Sequence, residues 1–275
     1  MPGNPGTKRA LSEYLSHNAD DSLSWQGSRV VNAPPNALWA AAPSEADNDT
    51  SRYTLFCDDF LQQASATASA YTTYTDMNDG ATGTNAFQDK AGGIINIVTA
   101  ATLDDYHGLR TTAKPWLFAA AKELWFEASF TVNEAATNAS SWFVGLSDTF
   151  TTGGLQTGAS GPLASFSGAG WFKVQATMAA KFITSNSTTQ SISSSIATVV
   201  TNQKIKVGFY FDGAATTSNL YPFIDIGDGN GYVAGTSQTI TLASLNQMAL
   251  FATIKAGGSN AETMQLDWIK AMQLR

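Results

Sequence analysis

Charged residues are scarce in this 275-residue sequence, where they make up 13%, about half the share that is usual in soluble domains. The surface must therefore be polar mainly through hydroxyl and amide groups, which is typical of extracellular or virion β proteins. The net charge of −7 is not offset by any block of basic residues. Because nucleic-acid binding depends on clustered lysine and arginine, this composition argues against a nucleic-acid partner.

Cysteine and long apolar runs are scarce as well. Cys57 is the single cysteine, which excludes an intrachain disulfide and a thiolate metal site, and we expect it to be buried in a strand. No stretch of about 18 apolar residues is present to cross a membrane, and no signal peptide is visible. We therefore expect a chain that is kept in a cytoplasm or assembled there into something larger, with no membrane contact and no cofactor.

What the sequence does contain is alternation of apolar and polar residues. In one run, Leu124, Phe126 and Phe130 occupy alternate apolar positions, and a second aromatic run follows at 142–146. A polar connection joins the two runs, which predicts an antiparallel pair in the middle of a sheet. Such strand signals recur along residues 53–275, with turn residues about every 8–12 positions. The sequence therefore predicts an all-β fold, a two-sheet antiparallel β-sandwich. The side chains expected between its sheets are Leu124, Phe126, Phe130, Val207, Phe209 and Phe211.

Residues 1–52 have a different composition and are predicted to be an extended N-terminal arm. They contain five of the eight prolines of the chain. They also contain large apolar residues that are too hydrophobic for a plain linker and too scattered for a core of their own. These residues are Trp25, Val30, Val31, Leu38 and Trp39. We expect the arm to become ordered by lying on its own sandwich or on a neighbouring subunit, with a disordered tail as the alternative.

Several segments of residues 53–275 are together similar to a known family. The first strand contains Phe-Cys-Asp-Asp-Phe (56–60), and the last contains Leu-Asp-Trp-Ile-Lys (266–270). Between them lie Gly-Gly-Ile-Ile-Asn (92–96), Lys-Glu-Leu-Trp-Phe-Glu-Ala (122–128) and Val-Gly-Leu-Ser-Asp (144–148). In pattern and order these segments resemble the concanavalin A-like lectin/glucanase jelly-roll domains in structural proteins of tailed bacteriophages. The resemblance implies two stacked antiparallel sheets of six or seven strands, and it does not include the arm.

Glucanases share this jelly roll, so the resemblance raises the possibility of an acidic pair for glycoside hydrolysis. Glu123 and Glu127 are the nearest candidates, but four positions along a strand separate their Cα atoms by roughly 13 Å. A retaining pair of carboxyl groups needs about 5.5 Å and an inverting pair up to about 9.5 Å. His107, with Asp104 or Asp105 to orient it, is the candidate for a nucleophilic triad, although no Gly-x-Ser-x-Gly elbow marks a partner serine. Neither set predicts catalysis, and no catalytic residue is expected.

Two kinds of binding site remain as alternatives. Asp225, Asp228 and Asn230 form a weak candidate for a calcium loop, but Asp-Gly and Asn-Gly dipeptides between two strands favour a hairpin turn. Aromatic side chains on a lectin-like sandwich are candidates for binding a glycan, although core or subunit contacts explain them equally well. These aromatic residues are Trp116, Trp142, Trp171, Tyr221 and Tyr232.

The resemblance and the lack of catalytic groups lead to one expectation and two alternatives. We expect a non-catalytic phage structural protein, a capsid decoration (cement) protein on the virion surface that is assembled in the host cytoplasm. Its arm would bind the major capsid protein or neighbouring subunits, and a homo-oligomer, a trimer, is the expected assembly. The first alternative is a module of a tail fibre or receptor-binding appendage that binds a cell-surface glycan. The second is a divergent polysaccharide hydrolase that uses Glu123 and Glu127.

Overall fold

The computed structural model describes residues 15–17, 23–25, 52–60, 73–80, 82–88 and 93–275. Near the N-terminus, strands β1 (Leu15–His17) and β2 (Leu23–Trp25) pair antiparallel as a two-stranded sheet. From Tyr53 onward the regular secondary structure of the described residues is almost wholly β-strand. One turn of 3₁₀ helix, Thr151–Gly154, interrupts the strands. None of the described residues forms a helix of the length and hydrophobicity that crossing a membrane requires.

The strands of residues 53–275 form two antiparallel sheets, and the predicted β-sandwich is confirmed. The nine-stranded sheet contains β3 (Tyr53–Asp58), β5 (Thr84–Gln88), β6 (Ile94–Val98), β8 (Leu124–Asn133), β14 (Lys204–Phe211), β15 (Thr217–Asp225), β16 (Val233–Ala234), β17 (Gln238–Thr241) and β19 (Thr263–Leu274). The eight-stranded sheet contains β4 (Tyr74–Asn78), β7 (Tyr106–Thr111), β9 (Ser140–Ser147), β10 (Ser167–Lys173), β11 (Ala179–Asn186), β12 (Gln190–Ile192), β13 (Ala197–Thr198) and β18 (Ala249–Ala256).

Each sheet has more strands than the six or seven that were expected. The main path of the nine-stranded sheet runs β16-β15-β14-β8-β19-β6-β5, with β17 paired to β15 and β3 to β19. The eight-stranded sheet runs β12-β11-β10-β9-β18-β7-β4, with β13 paired to β11. The extra strands are short: β12 has three residues, β13 and β16 two each and β17 four. Segments of this length contain too few alternating positions to be recognised in a sequence.

The predicted pairing of the two central runs is wrong. Strand β8 pairs with β14 and β19 in one sheet, whereas β9 pairs with β10 and β18 in the other. The polar connection between β8 and β9 therefore crosses from sheet to sheet, and the two strands face each other across the core. Phe130 of β8 and Trp142 of β9 meet there edge to face, with their ring centroids 5.1 Å apart. Both strands are buried on both faces, so their sequences do not indicate which sheet each one joins.

The core between the sheets is aromatic and closely packed. All six side chains that were predicted to lie there are buried, which confirms their assignment. Phe209 stacks on Phe126 within its own sheet at 5.1 Å and meets Phe182 of the opposite sheet at 5.5 Å. Trp171 Nε1 donates a hydrogen bond to the carbonyl oxygen of Gly208 at 3.0 Å, which links the two sheets directly.

Cys57 lies in strand β3 as expected, but its side chain is exposed rather than buried. It pairs in register with Lys270 of β19, which pairs in turn with Glu127 of β8. Their alternate neighbours Phe56, Ala271 and Phe126 pack in the core. Cys57 therefore belongs to the face of the nine-stranded sheet that points away from the other sheet, which we call the outer face.

A polar and aromatic surface on the nine-stranded sheet

The two sheets differ in what lies on their outer faces. On the eight-stranded sheet, a loop at residues 148–166 packs apolar side chains against Phe143 and Phe251. Phe166 meets Phe143 at 5.9 Å, and Phe150 stacks on Phe251 at 5.4 Å. Lys255 holds the same loop, because its ammonium group donates to the carbonyl oxygens of residues 156 and 158 and pairs with a carboxylate at residue 104. This loop covers part of the outer face of the eight-stranded sheet, so the nine-stranded sheet offers the candidate surface for a partner.

Glu127 lies at the centre of a polar group on that outer face. Tyr232 Oη donates a hydrogen bond to Glu127 Oε1 at 3.0 Å, and Lys270 Nζ forms an ion pair with Glu127 Oε2 at 2.9 Å. The carboxylate side chain is 6% exposed. Burial, followed by the charge of Glu127 and the hydrogen bond to it, raises the pKa of Tyr232 far above that of a free phenol. Both oxygens of Glu127 thus have a partner.

Two partly exposed aromatic rings and further ion pairs surround this group. Trp268 lies below the ammonium group of Lys270, 5.1 Å from the ring centroid, and Lys206 lies 5.9 Å from the ring of Tyr232. Lys206 also pairs with Asp225 at 3.9 Å. The three lysines 204, 206 and 270 each face a carboxylate, so the surface is polar with little net charge.

A register shift in β19 determines how Trp268 and Asp267 are presented. The pairing of β19 with β8 shifts between Leu266 and Trp268, as in a β-bulge. Bulges turn side chains away from the direction that strict alternation gives them. Asp267 here accepts a hydrogen bond from Ser129 at 3.3 Å and pairs with Lys204 at 2.8 Å. The segment 266–270 was noted in the sequence as a family feature, but nothing in it indicated the bulge.

Of the five aromatic candidates for glycan binding, three are buried in the core and two are partly exposed. Trp116, Trp142 and Trp171 are 0% exposed in the core, so their rings offer no surface to a sugar, and their assignment is corrected. Each occupies a position whose side chain points between the sheets, where a large ring fills core volume. Tyr221 and Tyr232 are partly exposed on the nine-stranded sheet. Tyr221 stacks on Tyr210 at 5.9 Å.

The weak calcium candidate is a hairpin, as the sequence favoured. Strands β15 and β16 pair on either side of residues 226–232. Asp225 accepts a hydrogen bond from the N–H of Gly227 at 2.8 Å, and Asp228 accepts two from Asn230 at 2.9 and 2.8 Å. The side chains that were considered as ligands thus stabilise the turn. Within the described parts of the chain, no group of three or more His, Cys, Asp and Glu side chains is arranged to hold a metal ion.

His107 and Asp105 are neighbours, but in a buried position. His107 Nδ1 lies 3.9 Å from Asp105 Oδ2, and the two side chains are 2% and 0% exposed. Burial lowers the pKa of His107, and burial together with a hydrogen bond to Asp79 raises the pKa of Asp105 to about 6. Asp104 instead binds Lys255 at 2.8 Å. A histidine that no substrate can reach has no catalytic use, so we assign this group a structural role.

A groove lies where the edges of the two sheets meet. Residues 191–196 and 233–238 line it, and its volume is about 460 Å³. Neither lining segment contains a charged or aromatic residue. Ile192 and Val233 at its rim are 49% and 43% exposed. Edge strands with exposed apolar side chains are typical sites of contact with another chain.

The arm residues named from the sequence are only partly placed. Trp25 ends strand β2, and its side chain lies outside the described part of the chain. Val30, Val31, Leu38 and Trp39 lie outside the described residues. Their predicted role in binding a partner stays a prediction.

Comparison with known proteins identifies the fold. No protein-family model matches the sequence, and no curated protein does. Among solved structures, a protein of unknown function from Shewanella oneidensis MR-1 matches with a TM-score of 0.55 and 11% identity, over 82% of this chain and 87% of that one. Peanut lectin, solved with a 9mer peptide, matches with a TM-score of 0.55 and 12% identity, over 81% and 98%. Basic winged bean lectin, solved with Tn-antigen, matches with a TM-score of 0.54 and 10% identity, over 81% and 99%.

These similarities show that the chain has the fold of the concanavalin A-like lectins. The two sheets and the near absence of helix among the described residues agree with that assignment. At identities of 10–12% the comparison shows the fold alone.

Proposed function

We propose that this chain is a non-catalytic structural protein of a bacteriophage virion, a capsid decoration protein that is attached through its N-terminal arm. One observation carries the non-catalytic part of the proposal, namely that both carboxylate oxygens of Glu127 already have partners. Its two oxygens are held by Lys270 and Tyr232, so it is not placed as a free base or nucleophile. The sequence resemblance to phage structural proteins supports the virion part.

Two further features support a role in assembly. The first is the arm, whose apolar residues need a surface on which to be buried. The second is the uncharged groove at the sandwich edge, where exposed Ile192 and Val233 suit a contact with another subunit or the shell. A homo-oligomer, with a trimer as the expected form, would bury that edge.

Imaging of intact particles tests the proposal. Mass spectrometry of purified virions should detect the chain, and a cryo-electron microscopy map should show a sandwich-sized density at regular positions outside the shell. Particles from a phage that lacks the gene serve as the control, because the density should disappear while the shell persists. A chain that is absent from purified virions, or that occurs only in the tail, would refute the decoration role.

An assay for hydrolysis tests the non-catalytic part separately. The purified protein should release no reducing sugar from bacterial polysaccharides, with or without calcium. Release that is abolished by Glu127→Gln, but not by Glu134→Gln in the buried ion pair at the other end of β8, would show that the protein is an enzyme.

Glycan binding is the second candidate function, and the partly exposed rings of Tyr232 and Trp268 favour it. Lectins bind sugars with exposed aromatic rings beside polar side chains, and both occur around Glu127. The matched structures include lectins, one of them solved with Tn-antigen. A screen against bacterial surface glycans should then find a ligand whose binding is lost in Trp268→Ala and retained in Phe150→Ala, in the loop that packs against the eight-stranded sheet. Failure of the wild-type chain to bind any of these glycans would exclude this candidate.

A further inference from the structure

The side of the sandwich that contains the groove is built from stretches of chain without charge. No charged residue and no proline occurs at positions 182–203 or 229–254. On this side β12 and β13 pair with β11, and β16 and β17 pair with β15. Among the described strands, none pairs with the outer side of these four. We call residues 190–200 and 233–241, which contain the four strands, the uncharged edge.

The opposite side of the sandwich has acidic residues instead. Strand β4 ends the eight-stranded sheet there, and it contains Asp76 and is followed by Asp79. Charged side chains, proline and short strands are common means by which a protein keeps other chains away from a sheet edge. Of these three, the uncharged edge has only short strands. Short strands limit the pairing of backbones between chains, but they do not prevent contacts between side chains.

Exposed apolar side chains are concentrated along the uncharged edge. Ile192 and Val200 are each 49% exposed, and Val233 is 43% exposed. Met178, at 41%, lies beside them, because its carbonyl oxygen accepts a hydrogen bond from the N–H of Val199. These are four of the six large apolar side chains that are exposed in the described part of the chain. Such a concentration on one side of a molecule marks a contact surface.

We propose that the uncharged edge binds a second copy of this chain and forms a two-fold dimer. Each copy has a net charge of −7, so two copies repel each other wherever their charged surfaces approach. The uncharged edge is the side on which two such chains meet with the least repulsion. A basic partner would instead be attracted to the acidic parts of the surface.

The polar groups of the uncharged edge suit an identical partner. Several exposed hydroxyl groups lie among its apolar side chains, namely those of Ser191, Ser194, Ser195, Thr236 and Ser237. A hydroxyl group both donates and accepts hydrogen bonds, so one group of hydroxyls can bond to an identical group. Carboxylates offer only acceptors and lysines only donors, so surfaces made of either one cannot bond to their own copies.

The extent of the uncharged edge and its single patch fit two-fold pairing. A stable interface needs about 20–30 residues and roughly 800 Å² on each partner, and the uncharged edge is about as long as the lower limit. Ile192 and Val233 border the same groove, so they belong to one patch. One patch that binds its own copy closes as a dimer, whereas a ring of three needs two different patches. The inference rests on the proposed function only for the role of this edge in assembly, and it replaces the expected trimer with a dimer.

Charge substitutions at the edge test the dimer in the full-length protein. Sedimentation equilibrium at micromolar concentration should give the wild type the mass of two chains, with a reductant present so that exposed Cys57 cannot link them. Ile192→Asp/Val233→Asp should be a monomer, because carboxylates of both copies would then meet at the contact. The matched control Leu55→Asp/Leu103→Asp adds the same charge at exposed positions elsewhere and should stay dimeric.

A mixture of two oppositely charged variants tests whether the edge meets its own copy. Ile192→Lys/Val233→Lys should also be a monomer by itself. Mixed with the aspartate variant, it should form a dimer that contains one chain of each kind, because opposite charges then face each other across the contact. Recovery of the dimer would also show that both variants are folded.

The proposal is overturned by a wild type that is monomeric or trimeric, or by an aspartate variant that stays dimeric. A control that becomes monomeric, or a mixture that does not pair, overturns it as well. These outcomes are separate from those for the proposed function. A monomer that is found on virions overturns the dimer alone, and a dimer that is absent from virions overturns the decoration role alone.

Discussion

Tyr232 Oη donates a hydrogen bond to Glu127 Oε1 at 3.0 Å, although the two residues lie 105 positions apart in the sequence. The sequence suggested Tyr232 as a glycan ligand and Glu127 as half of a hydrolase pair. In the structure the two residues are hydrogen-bond partners, and Lys270 neutralises the carboxylate through its other oxygen, Oε2. The contact closes the hairpin of β15 and β16 over the sheet face. It therefore stabilises the fold and at the same time orients one of the two partly exposed rings beside the polar group.

Removal of this hydroxyl tests how much the contact stabilises the fold. Tyr232→Phe should lower the free energy of unfolding by about 1.5–3 kcal/mol, the range for a hydrogen bond to a charged group. Tyr221→Phe is the matched control, because its hydroxyl lies 3.5 Å from Asp212, too far for a strong bond. Urea unfolding of both variants measures the difference. Equal losses in the two variants would show that the bond to Glu127 adds nothing.

Phe209 tests the core between the sheets. Its ring contacts Phe126 and Phe182, and it is 0% exposed. Phe209→Ala should cost about 3–5 kcal/mol, the range for truncating a large buried aromatic side chain. Leu103→Ala, at a site that is 58% exposed, should cost less than about 0.5 kcal/mol. A loss below about 1 kcal/mol for Phe209→Ala, measured by chemical denaturation, would contradict this packing.

The alternation of apolar and polar residues was enough to predict the fold class and the core residues, because this pattern is contained within short stretches of chain. In 204–211, every second residue is apolar and buried, so one strand is enough to reveal its inner face. The partners of a strand are not local information, and the central pair was therefore assigned wrongly. Strand β9 is buried at all eight positions, and such a strand fits the middle of either sheet.

The candidate site was predictable only in part, for a related reason. Trp142 and Tyr232 are both aromatic residues near turns, but one lies in the core and the other over Glu127. Which ring is exposed depends on the sheet that each strand joins. The presentation of Trp268 depends on a one-residue bulge, and that of Glu127 on a hairpin from far along the chain. None of these relationships leaves a pattern within a few neighbouring residues.

A buried ion pair at the end of the sandwich gives a third prediction. Lys173 Nζ lies 2.7 Å from Glu134 Oε1, and their side chains are 2% and 4% exposed. Burial would raise the pKa of Glu134, but hydrogen bonds from Lys173 and Ser140 outweigh burial and lower it. Lys173→Met should therefore cost about 3–5 kcal/mol, because it leaves a buried carboxylate without its cation. Lys204→Met, whose partner is Asp267 at the surface, should cost about 0–1 kcal/mol.

Thermal or urea unfolding at neutral pH measures this pair of variants. Glu134 also accepts hydrogen bonds from the N–H and the hydroxyl of Ser140, at 3.0 and 2.6 Å. The double variant Lys173→Met/Glu134→Gln should therefore regain part of the loss, because it removes the unpaired charge and keeps an acceptor for Ser140. A Lys173→Met variant that is as stable as Lys204→Met would show that the buried pair is not formed.

The adjacent residues Asp104 and Asp105 should affect stability in opposite ways as pH changes. Asp105 has a folded pKa of about 6 against an ordinary value of 3.8, because burial and the neighbouring Asp79 disfavour its charge. The stability that it contributes is therefore complete below pH 3.8 and is lost as pH rises through about 6. For Asp104, burial alone would raise the pKa, but hydrogen bonds from Lys255 and the N–H of Gly158 outweigh burial and lower it. Its contribution is present above pH 3.8 and is lost as pH falls below that value.

Free energies of unfolding between about pH 3 and pH 8 for the wild type, Asp105→Asn and Asp104→Asn test both signs. The pKa of His107 is lowered by burial, and His107 is present in all three proteins. Subtracting the free energy of unfolding of each variant from that of the wild type therefore removes most of the contribution of His107. The wild type should lose stability relative to Asp105→Asn as pH rises through about 6. Relative to Asp104→Asn, it should lose stability as pH falls below about 4. Because the two residues are adjacent, a general effect of net charge would move both differences in the same direction. Curves that run parallel would therefore show that neither carboxyl group has the partners described above.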